Sequence, residues 1–231
     1  MHAAFDALAF DLDGTLYPDS RLYIRLIPFL LKHHRLLFAL GKARDRIRKL
    51  DRAGEWVPEP GFYAAQARIV AEILGEDAPG VEAQIESLIY RGWEPFFTRI
   101  SLRAGVREAL AAFRGAGLKL AVLSDFPPEQ KLAHLGLAGY LDVILGSEPT
   151  GRLKPHPASF LELARRLDTA PERILYVGNS IACDIEGAKN AGMGAALLAP
   201  FYRARRGRER GADFVFSTYR QLSEYVLHWG K

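Results

Sequence analysis

Apolar and polar positions divide the 231 residues into three textures. Residues 5–10 are a compact apolar run that stops at Asp11, the pattern of a short buried strand. From 17 to 100 the apolar residues recur at helical spacing, as in Ile69, Ile73 and Leu74 or Ile85, Leu88 and Ile89. This spacing predicts helical segments over 20–52, 60–74 and 81–97, with breaks at 54–60 and 75–80. No strand candidate interrupts them.

From 101 onward the two periods alternate. A helix is expected over 104–115 (Val106, Leu110 and Phe113, with Gly117 as a stop), then a strand over 118–123 and a helix after Pro128. Strands at 143–145, 174–177, 195–198 and 214–216 follow, with helices at 158–167 and 181–191 and a closing helix. Such alternation predicts an α/β fold, a Rossmann-like parallel sheet with helices on both faces. The first strand has no partner in the helical stretch and must join the later sheet. The expected organisation is therefore a core of residues 1–16 and 101–231 with an inserted, all-helical cap of 17–100.

Composition adds modest constraints. With 49% hydrophobic residues the chain can bury a full core. A lone Cys183 rules out an intramolecular disulfide, and no leader-like segment precedes the first strand, so a cytoplasmic address is the default expectation. The apolar stretch 22–40 is broken by Arg25, Pro28, Lys32, His33, His34 and Arg35, which argues against a spanning helix.

The net charge of +4 is local: eight Lys or Arg between Lys32 and Arg52 face only Asp45 and Asp51, and the other residues are close to balanced. Nucleic acid is not an expected partner. The basic segment reads first as a solvated helix face. The functional reading is a surface that attracts anionic substrates or, with Leu30, Leu31, Leu36, Leu37 and Phe38 nearby, touches acidic lipid headgroups. The run Arg203 to Arg210 reads as a mobile surface loop, and His33-His34 point about 100° apart with no acidic partner, against a metal site.

The chemistry-bearing residues fall at strand ends. Asp11-Leu12-Asp13-Gly14-Thr15 sets two carboxylates one residue apart before a glycine bend, at the sheet edge where ligands bind. One reading is an ordinary Asp/Gly turn. The other is a pair relieved by a bound Mg2+, one carboxylate attacking phosphorus while the second handles protons. Ser124 follows the second strand, Lys154 precedes Pro155 at a helix start, and Gly178-Asn179 lies five residues ahead of Asp184. Taken singly, these are a turn or helix cap, a surface lysine and an acid near a helix N-terminus.

The ordered set, Asp-x-Asp-Gly-Thr, then Ser, then Lys-Pro, then Gly-x-x-x-x-x-Asp with Gly187-Ala188 and Ala191-Gly192-Met193 behind it, resembles the haloacid dehalogenase-like hydrolase superfamily. The resemblance spans the whole expected core, and the helical insertion looks like that superfamily's cap. It implies Asp11 as the nucleophile of an aspartyl-phosphate, Asp13 as general acid and base, Ser124 as a phosphate ligand and Lys154 as a stabilising cation. It further implies Mg2+ held by Asp11, the main-chain carbonyl of Asp13, and Asn179 or Asp184.

Two positions depart from the pattern: Asn179 stands where Asp is usual, weakening the metal site or shifting its load to Asp184, and Asp125 stands where Asn is common. Ser124, Asp125, Lys154, Tyr17 and Arg21 are the expected substrate-binding residues, Tyr17, Arg21, Tyr23 and Arg25 being the cap-entry candidates. The expected partner is a small phosphorylated metabolite, and the chain a monomer or homodimer. Phosphomutase action and a weakly or non-catalytic binding role are the alternatives, the second motivated by Asn179, Asp125 and the basic cap.

Overall fold

The computed structural model describes residues 5–97, 100–200 and 211–228, apart from the side chains of 20–23, 25, 94 and 95. The run 203–210 and the side chains of Arg21, Tyr23 and Arg25 thus lie outside the described residues.

Six parallel strands form one sheet: β1 (Ala7–Phe10), β2 (Lys119–Ser124), β3 (Val143–Gly146), β4 (Ile174–Gly178), β5 (Gly194–Leu198) and β6 (Phe214–Phe216), ordered β3-β2-β1-β4-β5-β6. β1 is central, Ala7 pairing with Lys119 on one side and with Ile174 on the other. All four of its residues are buried, as a strand covered on both faces requires. Leu8 and Phe10 face a cluster with Val122, Val177 and Phe113, whereas Ala7 and Ala9 face one with Leu123, Phe160 and Tyr176. The small alanines leave room there for the Phe160 and Tyr176 rings, whose centroids are 4.9 Å apart. Strand order reverses at β1, so the carboxyl ends of β2, β1 and β4 open side by side at the switch point.

Between β1 and β2 lie helices α1 (Asp19–Lys32), α2 (His34–Arg52), α3 (Phe62–Leu74), α4 (Ala78–Gln84), a π-helical stretch (Ile85–Tyr90), α5 (Glu94–Phe97) and α6 (Val106–Gly115). The single helix expected over 20–52 is two, because His33 leaves helical geometry (φ −112°, ψ 21°). Continuous, it would run about 50 Å. Bent, it lets Leu26 join the sheet-side core while Leu36, Ala39 and Leu40 pack with Val70 of α3 and Val81 and Ile85 beyond it.

The segment 81–97 is also divided. Asp77 caps α4 by accepting from the Gly80 N–H at 2.7 Å, and the π stretch then buries Ile85 and Ile89. After β2 come α7 (Glu129–His134), α8 (Pro157–Leu167), α9 (Glu186–Asn190) and α10 (Tyr219–Leu227). A π-helical turn, Ile181–Ile185, opens α9, so the helix expected over 181–191 is regular only in its second half.

Candidate functional site

The end of β1 is set by backbone before any side chain acts. Asp11 N–H still pairs with Val177 O at 2.9 Å, after which Leu12 to Leu16 closes a tight turn. Gly14 has φ +81°, and a Cβ there would overlap the Asn179 amide and the Asp19 carboxylate. Arg103 donates to Gly14 O at 3.1 and 2.7 Å, and Tyr219 OH donates to Thr15 O at 2.9 Å. The turn is thus held from behind by residues far along the chain.

Two carboxylates emerge from it in contrasting surroundings. Asp11 is buried, with Oδ1 accepting from Lys154 Nζ at 2.7 Å and Oδ2 from the Thr15 hydroxyl at 2.7 Å. Burial pushes its carboxyl up to about 7, against the downward pull of Lys154. Asp13 receives Lys131 Nζ on both oxygens, at 2.9 and 2.8 Å, and the Tyr17 hydroxyl on Oδ1. Burial would raise it too, but Lys131 and Tyr17 outweigh that and hold the carboxyl below its usual range.

Lys154 is the hub of the other half. It is 3% exposed and also donates to Asp184 Oδ1 at 2.7 Å and to Tyr176 OH at 3.2 Å. Burial alone would discharge it, yet Asp11 and Asp184 raise it well above the ordinary lysine value. Asp184 reaches back because the π turn is capped by Ser180, whose Oγ accepts from Cys183 N–H at 3.2 Å. Its Oδ2 accepts from the N–H groups of Asn179 and Ser180 at 3.1 and 2.9 Å. Gly178 permits this approach, since a Cβ there would collide with the Asp184 side chain.

Ser124 Oγ accepts from Phe126 N–H at 3.2 Å and lies 3.5 Å from Asp13 Oδ2. The structure therefore gathers Asp11, Asp13, Ser124, Lys154 and Asp184 at one edge, with Asn179 beside Gly14. Three expectations change. Tyr17 is fully buried with its hydroxyl on Asp13, so it supports that carboxylate and is not a cap-entry contact. Asp125 is turned away from the opening, because Oδ1 accepts from Ser147 Oγ at 2.6 Å and Lys154 N at 3.0 Å and Oδ2 from Arg48 Nη2 at 2.8 Å. The third is the basic segment, which is only partly a solvated face.

Arg35, Lys42, Arg46 and Lys49 are exposed. Arg44, 4% exposed, instead donates to Glu148 Oε1 at 2.5 Å and to Asp125 O at 2.7 Å, its guanidinium stacked 4.2 Å over the Phe126 ring. Arg48 donates through Nε to Lys154 O at 2.9 Å. The sequence reading missed Lys131, Thr15 and Tyr176 as site neighbours. Lys131 carried a signal, one turn into the helix that follows Ser124, but nothing in its spacing shows that it turns toward β1.

A divalent cation at this edge would be held by Asp11, Asp13 and Asn179. The Asp11 carboxylate, the Asp13 carbonyl and the Asn179 amide oxygen are hard oxygen donors of the kind Mg2+ takes while keeping several waters. Asp11 and Asp184 are each hydrogen-bonded on both oxygens, and among the described residues no three His, Cys, Asp or Glu side chains converge. The residues fit an ion held by one or two carboxylates together with substrate oxygens.

A family model described as a haloacid dehalogenase-like hydrolase matches residues 5–192, and the chain belongs to that family. A glyceraldehyde 3-phosphate phosphatase from Methanopyrus kandleri (strain AV19) is 30% identical, over 97% of this chain and 98% of its own length. A phosphoglycolate phosphatase from Escherichia coli (strain K12) is 28% identical, over 80% of this chain and 77% of its own. In fold the chain is similar to the L-2-haloacid dehalogenase from Xanthobacter autotrophicus, at TM-score 0.66 and 20% identity, with 98% of this chain and all of that one covered.

Proposed function

We propose that the protein is a Mg2+-dependent phosphatase that cleaves small phosphomonoesters through an aspartyl-phosphate on Asp11. The observation that carries this reading is the contrast between two neighbouring carboxylates, Asp11 against Lys154 and Asp13 against Lys131. Asp11 attacks phosphorus in line with the ester oxygen, forming an acyl phosphate as the P–O bond to the leaving group breaks. Lys154 offsets charge between the approaching carboxylate and the phosphoryl oxygens, and the Ser124 hydroxyl, oriented by the Phe126 N–H, donates to one of those oxygens. Asp13, ionised at rest beside Lys131, takes up the proton of a monoanionic phosphomonoester and passes it to the departing alkoxide, then takes one from the water that hydrolyses the acyl phosphate.

A cation bound by Asp11, the Asp13 carbonyl and Asn179 supplies further neutralisation of the phosphoryl group. The helical segment 17–100 acts as the cap that excludes bulk water. The names of two relatives, a glyceraldehyde 3-phosphate phosphatase and a phosphoglycolate phosphatase, support the substrate class.

The test is phosphate release from a panel of esters with and without Mg2+, run beside Asp11→Asn. Metal-dependent release that falls by at least about a thousandfold in the variant is expected. Substantial turnover by a clean Asp11→Asn preparation would remove Asp11 as nucleophile.

A further inference from the structure

A cavity of about 270 Å3 opens above Asp13, between the sheet edge and the helical segment. Its size falls just under the roughly 300 Å3 at which small-molecule pockets begin, so it suits one ring or a short branched chain and is too small for a nucleotide. Its wall is mostly hydrocarbon and aromatic: Leu30, Leu37 and Leu40 from α1 and α2, Ile89 and Trp93 from the far side, and Phe126 from the loop after Ser124. The polar lining residues are Asp13, Asp19 and Arg44.

Charge decides what this cavity accepts. Arg44 is the only cation among the described lining residues, and it is committed to Glu148, Gln66 and Asp125 O, with its face on Phe126. A leaving group bearing a carboxylate would enter a space with Asp13, already paired with Lys131, and Asp19, and with no uncommitted cation among the described lining residues. A hydroxyl-rich group would find few partners along the leucine wall. An apolar group loses nothing and buries its surface. Trp93 adds one polar demand, since its indole Nε1 is buried and has no acceptor among the described residues. A single ether or carbonyl oxygen on the leaving group meets such a demand, and a charge is not needed.

Resting on the phosphatase reading above, we infer that the preferred substrates are monoesters of apolar alcohols, with a leaving group of one ring or a short branched alkyl chain, in preference to phosphates of hydroxy acids or polyols. This sets the chain apart in specificity from the relatives it is similar to, whose names specify phosphoglycolate and glyceraldehyde 3-phosphate.

The test compares kcat/KM of the wild-type protein, with Mg2+, for benzyl phosphate and isobutyl phosphate against phosphoglycolate and glycerol phosphate. All four leave as alkoxides, so intrinsic reactivity is similar and the comparison reports the wall. The apolar esters are expected to lead by about tenfold or more. Gly41→Arg provides the second arm: Gly41 lines the cavity, is exposed, lies within α2, and a Cβ there meets nothing within 4 Å, so the variant folds. It sets a cation at the cavity rim and should raise phosphoglycolate relative to benzyl phosphate by about tenfold. Wild-type preference for phosphoglycolate or glycerol phosphate overturns the apolar assignment and leaves the phosphatase reading intact, as does a Gly41→Arg protein with unchanged ranking. Silence toward every ester overturns both.

Discussion

Asp125 illustrates how one residue's meaning depends on what turns toward it. As a carboxylate next to Ser124 it would repel phosphate, yet Ser147, Arg48 and the Lys154 N–H take up its oxygens. Burial would raise its carboxyl, but Lys154, Arg44 and Arg48 outweigh burial and lower it from 3.8. A carboxyl depressed in the folded state contributes stability that is present above its unfolded value and lost as pH falls through the folded one. Asp125→Asn should therefore cost about 2 kcal/mol at neutral pH, the scale of a hydrogen bond to a charged group. The deficit should vanish in acid, below 3.8. Urea midpoints of both proteins across that range give the answer, and a deficit independent of pH would show that the Arg48 pair contributes nothing. The position was legible in sequence as a departure from the family pattern; its partners were not, because Arg48 and Ser147 are remote in the chain and carry no local signature.

At the scale of elements, α2 joins the helical segment to the core by more than apolar contact. Arg44 and Glu148 are both nearly fully buried, and Tyr90 OH donates to the same Glu148 oxygen at 2.7 Å while Glu148 Oε2 has no partner among the described residues. Removing one member of such a pair leaves an uncompensated buried charge. Arg44→Met should cost about 3–5 kcal/mol, and Arg44→Met with Glu148→Gln should recover much of it. Chemical denaturation of the two variants measures this, and a double variant as unstable as the single one would mean that Glu148 is not what Arg44 compensates. The helical character of the stretch that holds α2 was plain in the sequence, as part of one helix expected over 20–52. It could not separate Arg44 and Arg48 from Arg46 and Lys49, because every member of a basic run satisfies a solvated face equally well until the neighbouring element is known.

For the whole molecule, the alternation of strands and helices after residue 101 was enough to infer a parallel sheet, and the lack of a strand between 17 and 100 was enough to send β1 into it. The strand order was beyond that reasoning, since buried parallel strands such as Leu120 to Leu123 and Ile174 to Val177 are alike in composition and carry no mark of their neighbours. The bend at His33 and the two π stretches were hidden for a related reason: packing selects them, and the local pattern remains helical on either side.

The central place of β1 has a consequence for biosynthesis. Of the six strands this one leaves the ribosome before the others, and its neighbours, beginning at Lys119 and Ile174, emerge only after the entire helical segment. An apolar strand with both edges open is exposed to misassociation for that interval. The helices meanwhile hold an apolar cluster of their own, built from α2, α3, α4 and the π stretch, and need no strand to form it. Ribosome-bound chains arrested after residue 140, with the helical segment emerged and β2 still inside the exit tunnel, should accordingly show protected amides in α2 and α3 and none in β1, and protection of β1 at that length would contradict this order. On that order the protein would assemble from its helical segment outward, and the strand end that carries Asp11 and Asp13 would be among the last parts to find its place.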